Sequence, residues 1–146
     1  MYPGRRFFPA PQPQQQFRGN LGNVPAAPLP PVEEEMLVPL TVSLTASQTA
    51  RDVGKDIDKD GDFVLTHVWG KADAVYSILL RFYTGRALMS APVRSDNFVG
   101  TVQFKTALKP MLYPAGSRIS VDLYELQAAT NDIELVFGGI RQIRQR

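Results

Sequence analysis

Arg118 to Leu126 (RISVDLYEL) and Asp132 to Ile143 (DIELVFGGIRQI) decide the fold class. In the first, Ile119, Val121 and Leu123 alternate with Ser120, Asp122 and Tyr124, the period of two that a strand adopts when one face is buried. Ala129-Thr130-Asn131-Asp132 supplies a turn between the two stretches, and Pro114-Ala115-Gly116-Ser117 supplies one before them. Working towards the N-terminus, strands are expected at Met36 to Thr45 (MLVPLTVSLT), Asp62 to Trp69, Ala74 to Thr84 and Phe98 to Phe104. Pro39 places the first of these at a sheet edge, because proline cannot donate to a ladder. Gly100 is a candidate bulge in the stretch from Phe98 to Phe104. No segment of ten or more residues keeps a clean helical apolar face, so helix is confined to a short connector within Ala46 to Val53.

Six to eight short strands separated by turns predict an all-β fold, an antiparallel β-sandwich of jelly-roll-like type, with immunoglobulin topology as the alternative. Eight of the chain's 12 prolines fall before residue 32, and this composition shift divides the chain into a Pro/Gln-rich arm, residues 1–31, and a β domain, residues 32–146. About 115 residues suffice for one core. The arm, with Gln12-Pro13-Gln14-Gln15-Gln16 and Gly19-Asn20-Leu21-Gly22-Asn23, cannot bury enough apolar area to offset its ordering entropy alone. It nonetheless carries Phe7, Phe8 and Phe17 as spaced anchors, with Arg5 and Arg18 to steer them, so these five are the candidate partner-binding residues.

The chain has no cysteine, which excludes disulfides, thiolate metal sites and a cysteine nucleophile. No apolar run approaches the length of a signal core or a membrane span, so a soluble protein with no membrane partner is expected. The net charge is +2, with arginines concentrated at both ends and Glu33-Glu34-Glu35 directly after the arm.

Asp56-Ile57-Asp58-Lys59-Asp60-Gly61-Asp62-Phe63 matches the first half of an EF-hand loop, but the twelfth position is His67 in place of glutamate, Val64 replaces the usual polar ninth residue, and strands flank it. An acidic turn before a strand is the simpler reading. Asp56, Asp58 and Asp60 are retained as weak candidates for a calcium site of another kind. The single histidine, His67, rules out a histidine-based triad or a multi-histidine metal site within one chain. Asp122 with Glu125, and Asp132 with Glu134, read as solvated strand ends rather than acid/base pairs. No catalytic residue and no required cofactor is expected, and the protein is read as no enzyme. Arg81, Phe82, Tyr83 and Arg86 interleave aromatic and basic residues, yet alternation splits them between two faces, which argues against a nucleic-acid platform. Trp69 with Tyr76 is the candidate pair for stacking on a sugar.

The chain from about Asp60 to Arg141 resembles small virion proteins of tailed bacteriophages, in which a β-sandwich decorates the capsid or forms a collar at the head-to-tail junction. The stretches that carry the resemblance are Asp60 to Leu65, Thr84 to Ser90 with Pro92-Val93, Tyr113 to Ile119 and Ala128 to Gly139. The resemblance implies an architectural protein located in the virion, partnered by further copies of itself and by portal, capsid or connector proteins. Carbohydrate- or calcium-dependent binding is the first alternative, and nucleic-acid binding the second.

Overall fold

A computed structural model describes residues 29–144, of which strands make up the greater part. Eight strands follow in order: β1 (Val32–Leu44), β2 (Thr49–Asp56), β3 (Gly61–Ala72), β4 (Tyr76–Arg81), β5 (Val93–Arg94), β6 (Thr106–Tyr113), β7 (Arg118–Glu125) and β8 (Asn131–Ile143). One short helix, α1 (Ser95–Phe98), follows β5. The strands form two four-stranded antiparallel sheets ordered β1-β8-β3-β6 and β2-β7-β4-β5. No described helix is long and apolar enough to cross a membrane.

Alternation builds the core. Val38, Leu40 and Leu44 of β1, Phe63, Leu65 and Val68 of β3, and Ile133, Leu135 and Phe137 of β8 face Ile78 and Leu80 of β4 and Ile119, Val121 and Leu123 of β7 in one buried cluster. Both sheets contribute to this core, the arrangement of a β-sandwich. Tyr113 of β6 also spans the layers, its hydroxyl donating to the Arg81 carbonyl of β4 at 2.6 Å.

Several sequence expectations need correction. Residues 46–53 hold no helix: after a turn in which Ser47 has a φ of 58°, the chain enters strand β2. Its pattern is broken by a bulge between Ala50 and Val53, where Asp52 takes a φ of 53°. The stretch from Phe98 to Phe104 is not a strand: Phe98 closes α1, and residues 99–104 are the loop after it, joined to β3 through the bond from the Gly70 amide to the Gly100 carbonyl at 2.9 Å. Strand β6, unexpected from the sequence, carries Lys109 and Pro110 at an edge. The edge position expected from Pro39 holds, since β1 is the terminal strand of its sheet.

Candidate binding face

Three strands of the first sheet are apolar at consecutive positions, so both of their faces carry hydrophobic side chains. The inner set fills the core. The outer set forms three cross-strand rows: Glu35, Ile140, Val64 and Leu112; then Leu37, Gly138, His67 and Ala107; then Pro39, Val136 and Trp69. Polar rows flank them on both sides, Glu33, Gln142 and Asp62 at one end and Thr41, Glu134 and Lys71 at the other. Leu37 is 53% exposed and Leu112 50%. An apolar centre inside a polar rim is the anatomy of a docking surface rather than of an ordinary solvated sheet face.

The centre is a cleft of about 360 Å³ lined by Glu35, Leu37, His67, Trp69, Lys105 and Gly138. A bulge in β3 between Leu65 and His67 shapes it, and the Thr66 hydroxyl lies 2.9 Å from His67 Nδ1. The Trp69 indole lies over Gly138 and under Lys105, whose Nζ is 4.4 Å from the ring centroid. The Lys105 ammonium thus makes a cation–π contact with the indole, which is only 7% exposed.

The outer face of the second sheet is of different character. Asp122, 2% exposed at the middle of β7, accepts from Arg81 of β4 through both oxygens and from the Asp52 amide at 2.8 Å. Arg81 also donates to the Gly85 carbonyl at 2.8 Å. Burial would push the Asp122 carboxyl up, but the Arg81 guanidinium and the Asp52 amide outweigh it and hold the carboxyl below its ordinary range. The solvated strand end expected for Asp122 is thus wrong: it is a buried clamp that fixes the β2 bulge to β7 and β4. Glu125 is buried as well, its Oε1 accepting from the Leu126 and Gln127 amides, each at 3.0 Å.

The three candidate calcium ligands of the acidic turn are divided between two arginines. Asp56 meets Arg118 at 3.4 Å, whereas Asp58, at 3.4 Å, and Asp60 meet Arg141, which also reaches Glu34 at 3.5 Å. Arg141 is paired with Phe63 of β3 and so stands at the end of the sandwich, where it ties the β2–β3 turn to β1. No group of three or more potential metal-ligating His, Cys, Asp or Glu side chains gathers among the described residues. Trp69 and Tyr76, the candidate sugar-stacking pair, are not brought together: Trp69 packs on the outer face of the first sheet, while Tyr76 is 2% exposed in the core on β4 of the second. Arg5, Phe7, Phe8, Phe17 and Arg18 lie outside the described residues.

The outer-face residues had a signal in the sequence. Runs such as Met36-Leu37-Val38-Pro39-Leu40 and Leu135-Val136-Phe137 have no polar partner face, the pattern of strands covered on both sides. Comparison with protein-family models, with curated proteins and with solved structures found no match for the chain.

Proposed function

We propose that this protein is a non-enzymatic structural subunit of a tailed-phage virion, of the collar, neck or capsid-decoration type. Its β domain docks on neighbouring subunits, and the arm of residues 1–31 straps them together. The observation that carries the assembly role is the apolar three-row face with its polar rim, left open on a domain whose core is already complete. The viral class draws support from topology. β1 pairs with β8, β2 with β7, β3 with β6 and β4 with β5, which is the pairing made when one long antiparallel ribbon rolls up into a jelly roll. Viral capsid proteins use that architecture repeatedly, as do lectins.

The proposal is tested by deleting residues 1–31 and measuring mass in solution, together with mass spectrometry of purified phage particles. A folded domain that no longer assembles, and the intact protein in the particle, are the expected results. Assembly unchanged by the deletion defeats the strap, and absence from every particle defeats the virion role. A carbohydrate-binding reading rests on the polar groups at the wall of the same cleft, His67 and Glu35. Glycan-array binding that is lost in Glu35→Ala would support it.

A further inference from the structure

Resting on that assembly reading, we infer that the outer face of the β1-β8-β3-β6 sheet is the seat of the arm, residues 1–28, of a second copy of this chain. Phe7, Phe8 or Phe17 would fill the cleft between Leu37 and Trp69.

Chemical fit is the first ground. The face presents Leu37, Pro39, Val64, Leu112, Val136 and Ile140 around the cleft, and the arm sequence carries the spaced aromatic residues Phe7, Phe8 and Phe17. Charge is the second. The arm holds Arg5, Arg6 and Arg18 and no acidic residue, while Glu33 and Glu35 of β1 lie on this face at the sheet edge, and Glu35 is exposed at the cleft wall. A basic strap crossing an acidic edge is steered into register by the same charges that discourage β1 edges from pairing with one another.

Geometry selects a second copy as the source. The arm joins the domain through Pro30-Pro31 directly before Val32, at the terminus of the sheet where Val32 pairs with Ile143. Two prolines with φ locked near −65° favour an extended backbone where the described chain begins, so an arm seated on its own sheet would need a chain reversal before Pro30. From residue 29 back to Phe17 an extended chain would cover about 37 Å, most of the length of a neighbour's longest strands. Each copy then gives one arm and receives one, a head-to-tail contact that closes into a ring when the rotation permits.

The test uses the full-length chain, an arm variant (Phe7→Ser with Phe8→Ser and Phe17→Ser) and a face variant (Leu37→Lys with Leu112→Lys). Light scattering over a concentration series gives mass, and emission from Trp69, the only tryptophan, reports on the cleft. The native chain is expected to self-associate with a Trp69 shift on dilution. Each variant should keep its Tm and associate at least about tenfold more weakly. An equimolar mixture of the two variants should recover a dimer, because intact arms then meet intact faces. Leu37→Gln alone serves, with a smaller effect in the same direction, should the double lysine variant lose Tm, and Leu126→Lys on a distant loop is the control that changes nothing.

An arm variant that dissociates beside a face variant that associates normally overturns this seat and leaves the strap standing. Variants that fail to complement one another place the arm on its own sheet and overturn the second-copy source, as does a native chain that stays monomeric at every concentration. Association unchanged in both variants removes the seat and the strap together.

Discussion

Gly138 lies directly beneath the Trp69 ring: a Cβ at that position would stand 2.6 Å from indole Cζ3. The indole thus occupies the space that any side chain at position 138 would need, and both residues line the cleft with Leu37 and His67. Gly138→Ala is expected to lift the indole and cost about 1–3 kcal/mol, the usual range for overpacking. Urea unfolding measures the loss, and a red-shifted Trp69 emission in the folded protein would locate it. Unchanged emission and stability would mean that the ring moves aside without strain.

The Asp122 clamp predicts an acid limb of stability. Its carboxyl is held below the usual range in the folded protein, so the unfolded chain binds the proton more readily. The stabilisation is therefore complete above about pH 4 and is lost as pH falls through the lower folded value. Asp122→Asn is expected to lose about 2–3 kcal/mol at pH 7 and to flatten that limb, since Arg81 and the Asp52 amide lose their charged acceptor. Tm measured from pH 2 to 7 in both proteins checks it.

Arg141 gathers Glu34, Asp58 and Asp60 at one end of the sandwich. Arg141→Gln is expected to lower Tm at low salt by an amount that shrinks in high salt, because removal of the cation leaves carboxylates facing one another. Calcium provides the counter-test. If Asp58 and Asp60 remain with Arg141, millimolar calcium leaves the Tm of the native chain unchanged, whereas a rise would show that the ion displaces the arginine.

The Tyr76 hydroxyl is buried without a hydrogen-bond partner among the described residues, and burial pushes its pKa up. Tyr76→Phe is therefore expected to leave stability unchanged or to raise it by up to about 1 kcal/mol, since the ring packing stays and an unpaired polar group goes. A loss of more than about 1 kcal/mol in urea unfolding would reveal a bound water serving the hydroxyl.

Two leucines of the first sheet separate folding from docking. Leu135, 1% exposed, and Leu37, 53% exposed, lie on neighbouring strands and opposite faces. Leu135→Ala is expected to cost about 2–5 kcal/mol of stability, and Leu37→Ala less than about 1, with the second affecting association instead. A large stability loss from Leu37→Ala would show that the outer face is part of the folding core.

Much of the fold was legible wherever a strand obeyed the simple alternation of a one-sided sheet. The inner positions of β7 could be read directly from Ile119, Val121 and Leu123, and Pro39 marked an edge because a missing amide has the same consequence in any sheet. β2 escaped because Arg51, Asp52 and Gly54 break its pattern, and the bulge that accommodates them is held by Asp122, a residue 70 positions away. β6 escaped because Lys109 and Pro110 read as loop, although an edge strand tolerates both. The stretch from Phe98 to Phe104 failed in the other direction: its apolar residues look strand-forming, yet Val102 and Phe104 are 73% and 79% exposed at the tip of a turn.

The sequence by itself determined that this chain is all-β, that a segment of different composition precedes the strands and that no thiol or multi-histidine chemistry is available, because period, proline placement and residue inventory are local properties. It could not say which of two adjacent apolar residues, Leu37 or Val38, faces water. Only the second sheet decides that: it covers Val38 and leaves Leu37 open, and with it the row through Gly138 and His67. The tertiary structure likewise sorted the aspartates, giving Asp122 a buried guanidinium clamp and dividing the acidic turn between Arg118 and Arg141, since a charge's role depends on partners that the chain brings from far along its length.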